Sequence, residues 1–428
     1  MEIKVIGGGL AGTEAAYQIA RRGSAVALYE MRPEASTPAH KTEYLAELVC
    51  SNSLKSKDLG NAHGLIKEEL KRLDSLIIET AEESAIPGGK ALVVDREKFA
   101  QRVTRRIEDH ALIRIVREEV KDVPPGVVII ATGPLTSPDL TEKIRSLTGE
   151  ENLWFFDAIS PIVDGGSVDM EHAFYASRYI KEESHDYLNC PLTEREYDLF
   201  YEELIRAQRV DLREFEKTSY FEGCLPIEVM AERGRQTLLY GPMKPVGLTD
   251  KRTGKRPFAV VQLRRENAAG TMFNMVGYQT KLKYQEQERV FRLIPALKNA
   301  LFLRHGSIHR NTYIHSPVAL KSTLQLKGHG DIFFAGQITG VEGYVEATAM
   351  GLLAGISAHL YAHGKTFTPP PGHTCIGALL QYITTETRDF QPMNVNFGLL
   401  QGYGKREKEK AVEKALNSIE LWIKDIDE

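Results

Sequence analysis

The chain opens with IKVI at residues 3–6 and breaks at once into the glycine turn GGGLAG. Helical periodicity follows in TEAAYQIARRG, closed by Gly23, and a second apolar run, AVALYE, begins at Ala25. Short apolar runs on either side of a helix-periodic stretch predict strand, helix and strand. Gly7, Gly9 and Gly12 hold the G-x-G-x-x-G spacing between the first strand and the helix. Gly7 allows the tight turn, Gly9 lets a pyrophosphate approach the backbone, and Gly12 lets helix and strand pack closely. Glu30 ends the second strand, 18 residues beyond Gly12, where an acid can hold ribose hydroxyls. Together these predict a Rossmann-like dinucleotide unit, with Gly7, Gly8, Gly9, Leu10, Ala11, Gly12 and Glu30 at the cofactor.

The theme returns downstream. VVIIATGP (127–134) is a buried strand running to Gly133, and GDIFFAGQITGVEGYVEATAMGLLAGISAHL (330–360) runs a strand into Gly336, Gln337 and Gly340, then a helix rich in Ala and Gly. Small residues let that helix lie against a flat group or another backbone. Its N-terminus carries partial positive charge, suited to the negative charge of a reduced flavin. There is no second G-x-G-x-x-G and no CxxxxC pair, which argues against a pyridine-nucleotide disulfide reductase. NADH or NADPH, as reductant, then binds without its own Rossmann domain.

Glycine-ended strands at both ends of the chain belong to one α/β domain. We expect a Rossmann-like, glutathione-reductase-like FAD domain in two parts, 1–155 and 295–428, around an inserted α+β domain at 156–294. In the first part a helix is expected near 63–74, and KALVVDREKFAQRVTRRIEDH reads strand then helix, with Asp95 as N-cap. In the insertion KEESHDYLNCPLTEREYDLFYEELIRAQ reads as charged and helical, and FAVVQLRRENAAGTMFNMVGYQTKLKY as alternating strands. The C-terminal KREKEKAVEKALNSIELWIKDIDE reads as an amphipathic helix.

Hydrophobic residues make up 42% of the chain and charged residues 26%, as in soluble globular proteins. The four cysteines are scattered without a CxxC, so neither a zinc ribbon nor a disulfide framework is expected, and no metal. No signal peptide or membrane span is read, and we expect a reducing, cytoplasmic setting. The net charge of −4 conceals a basic block: Lys244 to Arg310 holds 14 Lys and Arg against four Asp and Glu. Such a block suggests a polyanion such as a nucleic acid, with Lys251, Arg252, Arg264 and Arg265 as candidate contacts. The alternative is a solvated face paired with acids.

Cys50 lies in ELVCSNSLKS and Cys224 in YFEGCLPIEVMAERG, both polar or turn-like settings. A cysteine kept for packing has apolar neighbours; Lys55 and Lys57, or a helix N-terminus, would favour a thiolate at Cys50. Cys190 and Cys375 read as structural. GGGLAGTEAAYQIARRG, YEMRP, LVCSNSLKS, ALVVDREKFA, FEGCLPIEVMAERG and AGQITGVEGYVEATAMGLLAG closely resemble the folate- and FAD-dependent tRNA (uracil-5-)-methyltransferase family, over essentially the whole chain. The wobble-uridine MnmG flavoproteins are the nearest relatives in kind.

The resemblance implies transfer of a one-carbon unit from 5,10-methylenetetrahydrofolate through reduced FAD to C5 of the T-loop uridine of tRNA, with NAD(P)H as reductant. Uracil C5 is a poor nucleophile; a thiolate adding to C6 activates it, and a base must then take the C5 proton. We assign Cys224 as nucleophile and Cys50 as acid/base or flavin-side thiol; the reverse is chemically open. Tyr344 is read as stacking on flavin or pterin, or as a core tyrosine. His305, His309 and Arg310 are read as binding folate glutamate or RNA phosphate, or as a plain surface turn. Rival readings are a tRNA-binding chaperone, an NAD(P)H-dependent flavin oxidoreductase, and a wobble-uridine enzyme acting with a GTPase.

Overall fold

Five parallel strands lie side by side in the order His329–Phe334, Val128–Ile130, Ile3–Ile6, Val26–Glu30, Ile113–Arg117, and Gln325–Leu326 pairs antiparallel at one edge. This is the computed structural model of the chain; it describes all residues except 38, 150–152, 179–184, 211–224, 251–252, 388–389, 401–406 and 428. The first strand of the chain is central, with Ile3 opposite Val26 and Lys4 opposite Val128. Strands covered on both faces need continuous apolar runs, which is why VVII is apolar throughout, while IKVI is broken only by the partly buried Lys4. The glycine loop leaves the carboxyl end of this strand, where open α/β sheets bind ligands.

The helix Leu10–Arg21 packs on the small-residue helix Tyr344–Ala362. A Cβ on Gly351 would lie 2.2 Å from the Ala11 carbonyl oxygen, and one on Gly355 would lie 2.7 Å from that of Ala15. The run of small residues therefore serves backbone-to-backbone contact between two helices. Ala62–Arg72 forms the helix expected near 63–74, and Asp95 caps Arg96–Glu108 by accepting from the Lys98 amide at 3.2 Å. The helix Leu76–Glu83 has no counterpart in the sequence reading.

The inserted segment builds a second, antiparallel sheet in the order Phe174–Tyr175, Tyr187–Leu192, Ala259–Arg265, Met272–Met275, Ile162–Asp164, Phe302–Arg304. Its last strand lies past residue 294, so the inserted unit runs further than the boundary drawn from sequence. Leu153–Ile159 pairs with Ser307–Tyr313 where the chain enters and returns. Tyr187–Leu192 corrects the helical reading of that stretch: it pairs with Ala259–Arg265, and the helix begins only at Glu194, behind a Thr193–Glu196 capping box. Each sheet has its own core, one around Val5, Ile129, Phe333 and Leu353, the other around Tyr197, Phe200, Val261 and Phe291. The C-terminal helix Lys408–Asp427 buries Ala411, Ala415, Ile419, Trp422 and Ile426, the spacing of one helix face. Among the described residues no helix is long and apolar enough to cross a membrane.

Candidate functional site

Two clefts open beside the turn after Val128–Ile130, and Leu135 lines both. The first is walled by Gly7, Gly8, Gly9, Glu30, Arg32, Thr132 and Thr136. Gly7 has φ +107°, and a Cβ there would lie 2.5 Å from the Ala131 carbonyl oxygen. A Cβ on Gly12 would lie 1.7 Å from the Gly7 oxygen, so the helix start is locked to the loop. A Cβ on Gly9 meets nothing within 4 Å, which leaves its backbone open to a ligand. Leu10 and Ala11 turn into the core instead.

The Glu30 carboxylate accepts from the Gly8 amide at 3.0 Å through Oε2, and from the Arg32 amide and Nε at 3.0 and 2.8 Å through Oε1. Burial pulls its pKa up, but the hydrogen bonds and charge of Arg32 outweigh this and hold it below the ordinary carboxylate value. A carboxylate has about four acceptor positions. Three are taken, which leaves one on Oε2 for a ribose hydroxyl. The open loop and this spare acceptor fit the diphosphate and ribose of a dinucleotide.

The second cleft encloses about 270 Å³ and is lined by Cys50, Ser51, Lys55, Gln337, Gly343, Tyr344, Glu346, Gln279 and Ile159, among others. Gly133 (φ +68°) sits between the clefts with open space beside it. Gly336 (φ +79°) lies against Ala11 and Gly340 (φ +82°) against Phe390, so both serve the path of the turn. Gln337 donates to Glu342 at 2.6 Å. The helix start at Tyr344 is not a bare positive end. Glu346 is buried there, with Lys55 Nζ 3.6 Å and His63 Nε2 3.4 Å from its Oε1. Burial raises its pKa, but Lys55 and His63 more than offset that and hold it low.

Tyr344 does not stand free as a stacking ring. Its hydroxyl oxygen accepts from the Cys50 and Ser51 amides at 2.9 and 3.1 Å. Burial, and then the charge on Cys50, push the phenol above its ordinary range, so it stays neutral.

The cations around Cys50 are not its sequence neighbours. Lys55 turns to Glu346, while three arginines from distant segments grip the loop. Arg96 donates to the Leu48 carbonyl, Arg304 to that of Val49, and Arg264 to Ser51 Oγ and Asn52 Oδ1 at 2.9 and 3.0 Å. Glu266 is the acid among them, 2.8 Å from Arg96 Nε. An ionised Cys50 lies within electrostatic reach of all three guanidiniums.

This corrects the reading of Arg264 as an RNA contact. It is 8% exposed, and its donors face the thiol loop. The Arg265 guanidinium lies over the Tyr175 ring at 5.5 Å. His305 bonds Glu288 at 3.0 Å. His309 and Arg310 pair with Asp157 and Phe156 along their strand, and their side chains lie outside the described residues, as do Cys224, Lys251 and Arg252 altogether. Cys190 and Cys375 are fully buried. Sequence reasoning missed Arg96, Arg304, Asn52, His63 and Glu346; only their positions in the fold reveal them. Among the described residues no cluster of three His, Cys, Asp or Glu could hold a metal ion.

Comparison with known proteins gives a consistent picture. A family model described as glucose inhibited division protein A matches residues 2–366. The methylenetetrahydrofolate--tRNA-(uracil-5-)-methyltransferase TrmFO of Bacillus pumilus is 56% identical over 422 residues, 98% of this chain and 97% of the relative. The TrmFO of Desulforamulus reducens is 57% identical, over 98% of this chain and 97% of that one. Among solved structures, Aquifex aeolicus GidA in two crystal forms superposes with TM-scores of 0.72 and 0.70 at 18% identity, covering 98% and 99% of this chain and 73% and 78% of GidA. At that identity the likeness speaks for the fold.

Proposed function

The chain belongs to the glucose inhibited division protein A family, with TrmFO relatives along its whole length, and from that premise we propose that it methylates C5 of the T-loop uridine in tRNA. The one-carbon donor is 5,10-methylenetetrahydrofolate, FAD is the cofactor and NAD(P)H the reductant. The observation that carries this is the second cleft. It sets a thiol, Cys50, against the glycine-rich turn of a dinucleotide-binding domain, at Gln337, Gly343 and Tyr344.

The residues fit FAD. The Gly7–Gly9 loop and Glu30 would hold the diphosphate and ribose, and the cleft at Gln337 and Tyr344 would take the ring system. When bound, FAD supplies the two electrons that turn a methylene-level carbon into a methyl group. The protein supplies the rest. A thiolate, assigned to Cys224, adds to uracil C6 and makes C5 nucleophilic. A base takes the C5 proton once the new carbon–carbon bond exists, and the thiolate then leaves. Cys50 is assigned acid/base or flavin-side work, and the contacts of three arginines and Tyr344 with its loop support that reading. The target base must leave its stack to reach a recessed cleft.

The test uses the flavin-loaded protein, NADPH, an unmodified tRNA transcript and folate labelled in its methylene carbon. Label at the T-loop uridine, lost in Cys224→Ala and in Cys50→Ala, is the expected result. A flavin-loaded, NADPH-reducible enzyme that puts no label into RNA would sink the proposal and leave the oxidoreductase reading.

A further inference from the structure

Phe302–Arg304 is the edge strand of the inserted sheet, and the residue after it carries two stacked rings. His305 lies nearly parallel to Tyr284, with centroids 4.9 Å apart and planes 25° apart. It is also stacked on Phe302, at 5.8 Å and 13°. Phe302 in turn packs on Phe291 of the inserted core, and the Arg292 guanidinium lies 5.9 Å from its centroid. The column is thus rooted in a core and ends in water: Tyr284, the first residue of the helix Tyr284–Phe291, is 60% exposed. The hydrogen bond that His305 Nε2 donates to Glu288 Oε1 at 3.0 Å fixes the middle ring.

The residues flanking His305 reach the lining of the Cys50 cleft. Arg304, next to His305, holds the Val49 carbonyl. Gly306, on the other side, abuts Thr280 and Ile159, where a Cβ would lie 2.5 Å from Thr280 Cγ2 and 2.7 Å from the Ile159 oxygen. Ile159 and Gln279 line the cleft itself. Lys283 directly precedes the exposed ring and Lys281 lies three residues before it, within the basic block.

A surface tyrosine kept for packing buries its ring and leaves its hydroxyl wet. Tyr284 instead is 60% exposed as a residue, with its ring already nearly parallel to a second ring. Loops of folded RNA are recognised through unstacked bases laid on such faces, and base–aromatic stacking tolerates any base. We propose that Tyr284, prestacked on His305 and Phe302, is the platform for an unpaired base of the tRNA beside the one that enters the cleft. The proposal rests on the methyltransferase reading above and adds how the RNA is held.

Tyr284→Ala and Tyr284→Phe in the full-length, flavin-loaded enzyme test it. Each is assayed for KM of tRNA, KM of methylenetetrahydrofolate, kcat, and flavin reduction by NADPH without RNA. Tyr284→Ala should raise KM for tRNA roughly ten- to hundredfold while Tyr284→Phe stays within about twofold, because a phenyl face stacks as well. Folate KM and flavin reduction should not move. An unchanged tRNA KM in Tyr284→Ala overturns the platform, as does a rise in folate KM alone, which would put the pterin on this ring. Failure of the wild-type enzyme to label RNA refutes the parent reading instead, and is seen before any variant is made.

Discussion

Tyr344→Phe separates two jobs for one ring. The substitution keeps the aromatic face and removes only the oxygen that accepts from the Cys50 and Ser51 amides at 2.9 and 3.1 Å. A buried N–H stripped of its partner costs about 1–3 kcal/mol. Two such groups set a ceiling of about 6 kcal/mol, but Cys50 is only half-buried, so water recovers part of the loss. The carbonyls of Leu48 and Val49 also stay clamped by Arg96 and Arg304. We therefore expect a net penalty of about 2–3 kcal/mol, confined to the loop. A penalty of that size can shift the loop from its working geometry by at most roughly a hundredfold. Label transfer should accordingly fall, by no more than about a hundredfold. The companion assay is the rate of Cys50 alkylation by iodoacetamide in a Cys224→Ser background, which should change as the thiol's surroundings loosen. A Phe variant with wild-type turnover and wild-type alkylation would refute the clamp and return Tyr344 to a purely stacking role, for which the hydroxyl is irrelevant.

Further substitutions probe the fold beneath the site. Gly351→Val places carbon where Ala11 backbone already lies, 2.2 Å from its oxygen; overpacking of about 1–3 kcal/mol should force the two helices apart and show as a lower melting temperature and flavin lost on gel filtration. Cys50→Ser should keep flavin and tRNA binding while abolishing label transfer, which filter binding and absorbance at the flavin band will read. Glu69 accepts from the Cys375 and Ile376 amides at the start of Cys375–Thr384; burial lifts its pKa to about 7 despite those bonds. The folded state thus holds this proton more tightly than the unfolded one. Its contribution is complete below the unfolded value of about 4.5 and is lost as pH rises through about 7. Denaturant unfolding of wild type and Glu69→Gln between about pH 5 and 8 should show the wild type losing ground with rising pH, and a constant difference would refute the assignment.

What was legible in the sequence was what depends on near neighbours. Gly7, Gly9 and Gly12 announce their loop because a φ of +107° at Gly7 and an oxygen 1.7 Å from any Cβ at Gly12 are demands met within a few residues. The acidic helix signal of Glu194–Arg206 was equally local, yet it spread upstream over Tyr187–Leu192, whose fate is set by pairing with a strand some seventy residues away. The electrostatics of the site were not legible at all. Arg96, Arg264 and Arg304 are separated from the loop residues they grip by 48, 213 and 255 positions. Counting charge along the chain put Arg264 in a basic block and so toward RNA; it cannot tell a buried guanidinium from a solvated one. The polar setting of Cys50 follows from the same contacts. Ser51 and Asn52 receive Arg264 from the inserted sheet, Asn52 donates back to the Val94 and Arg265 carbonyls at 2.9 and 2.8 Å, and the amides on either side of the Cys50–Ser51 bond meet Tyr344. A thiol in a loop of serines and asparagine is therefore a thiol whose loop is held by side chains from the second sheet, Arg264 and Arg304, as well as by Tyr344.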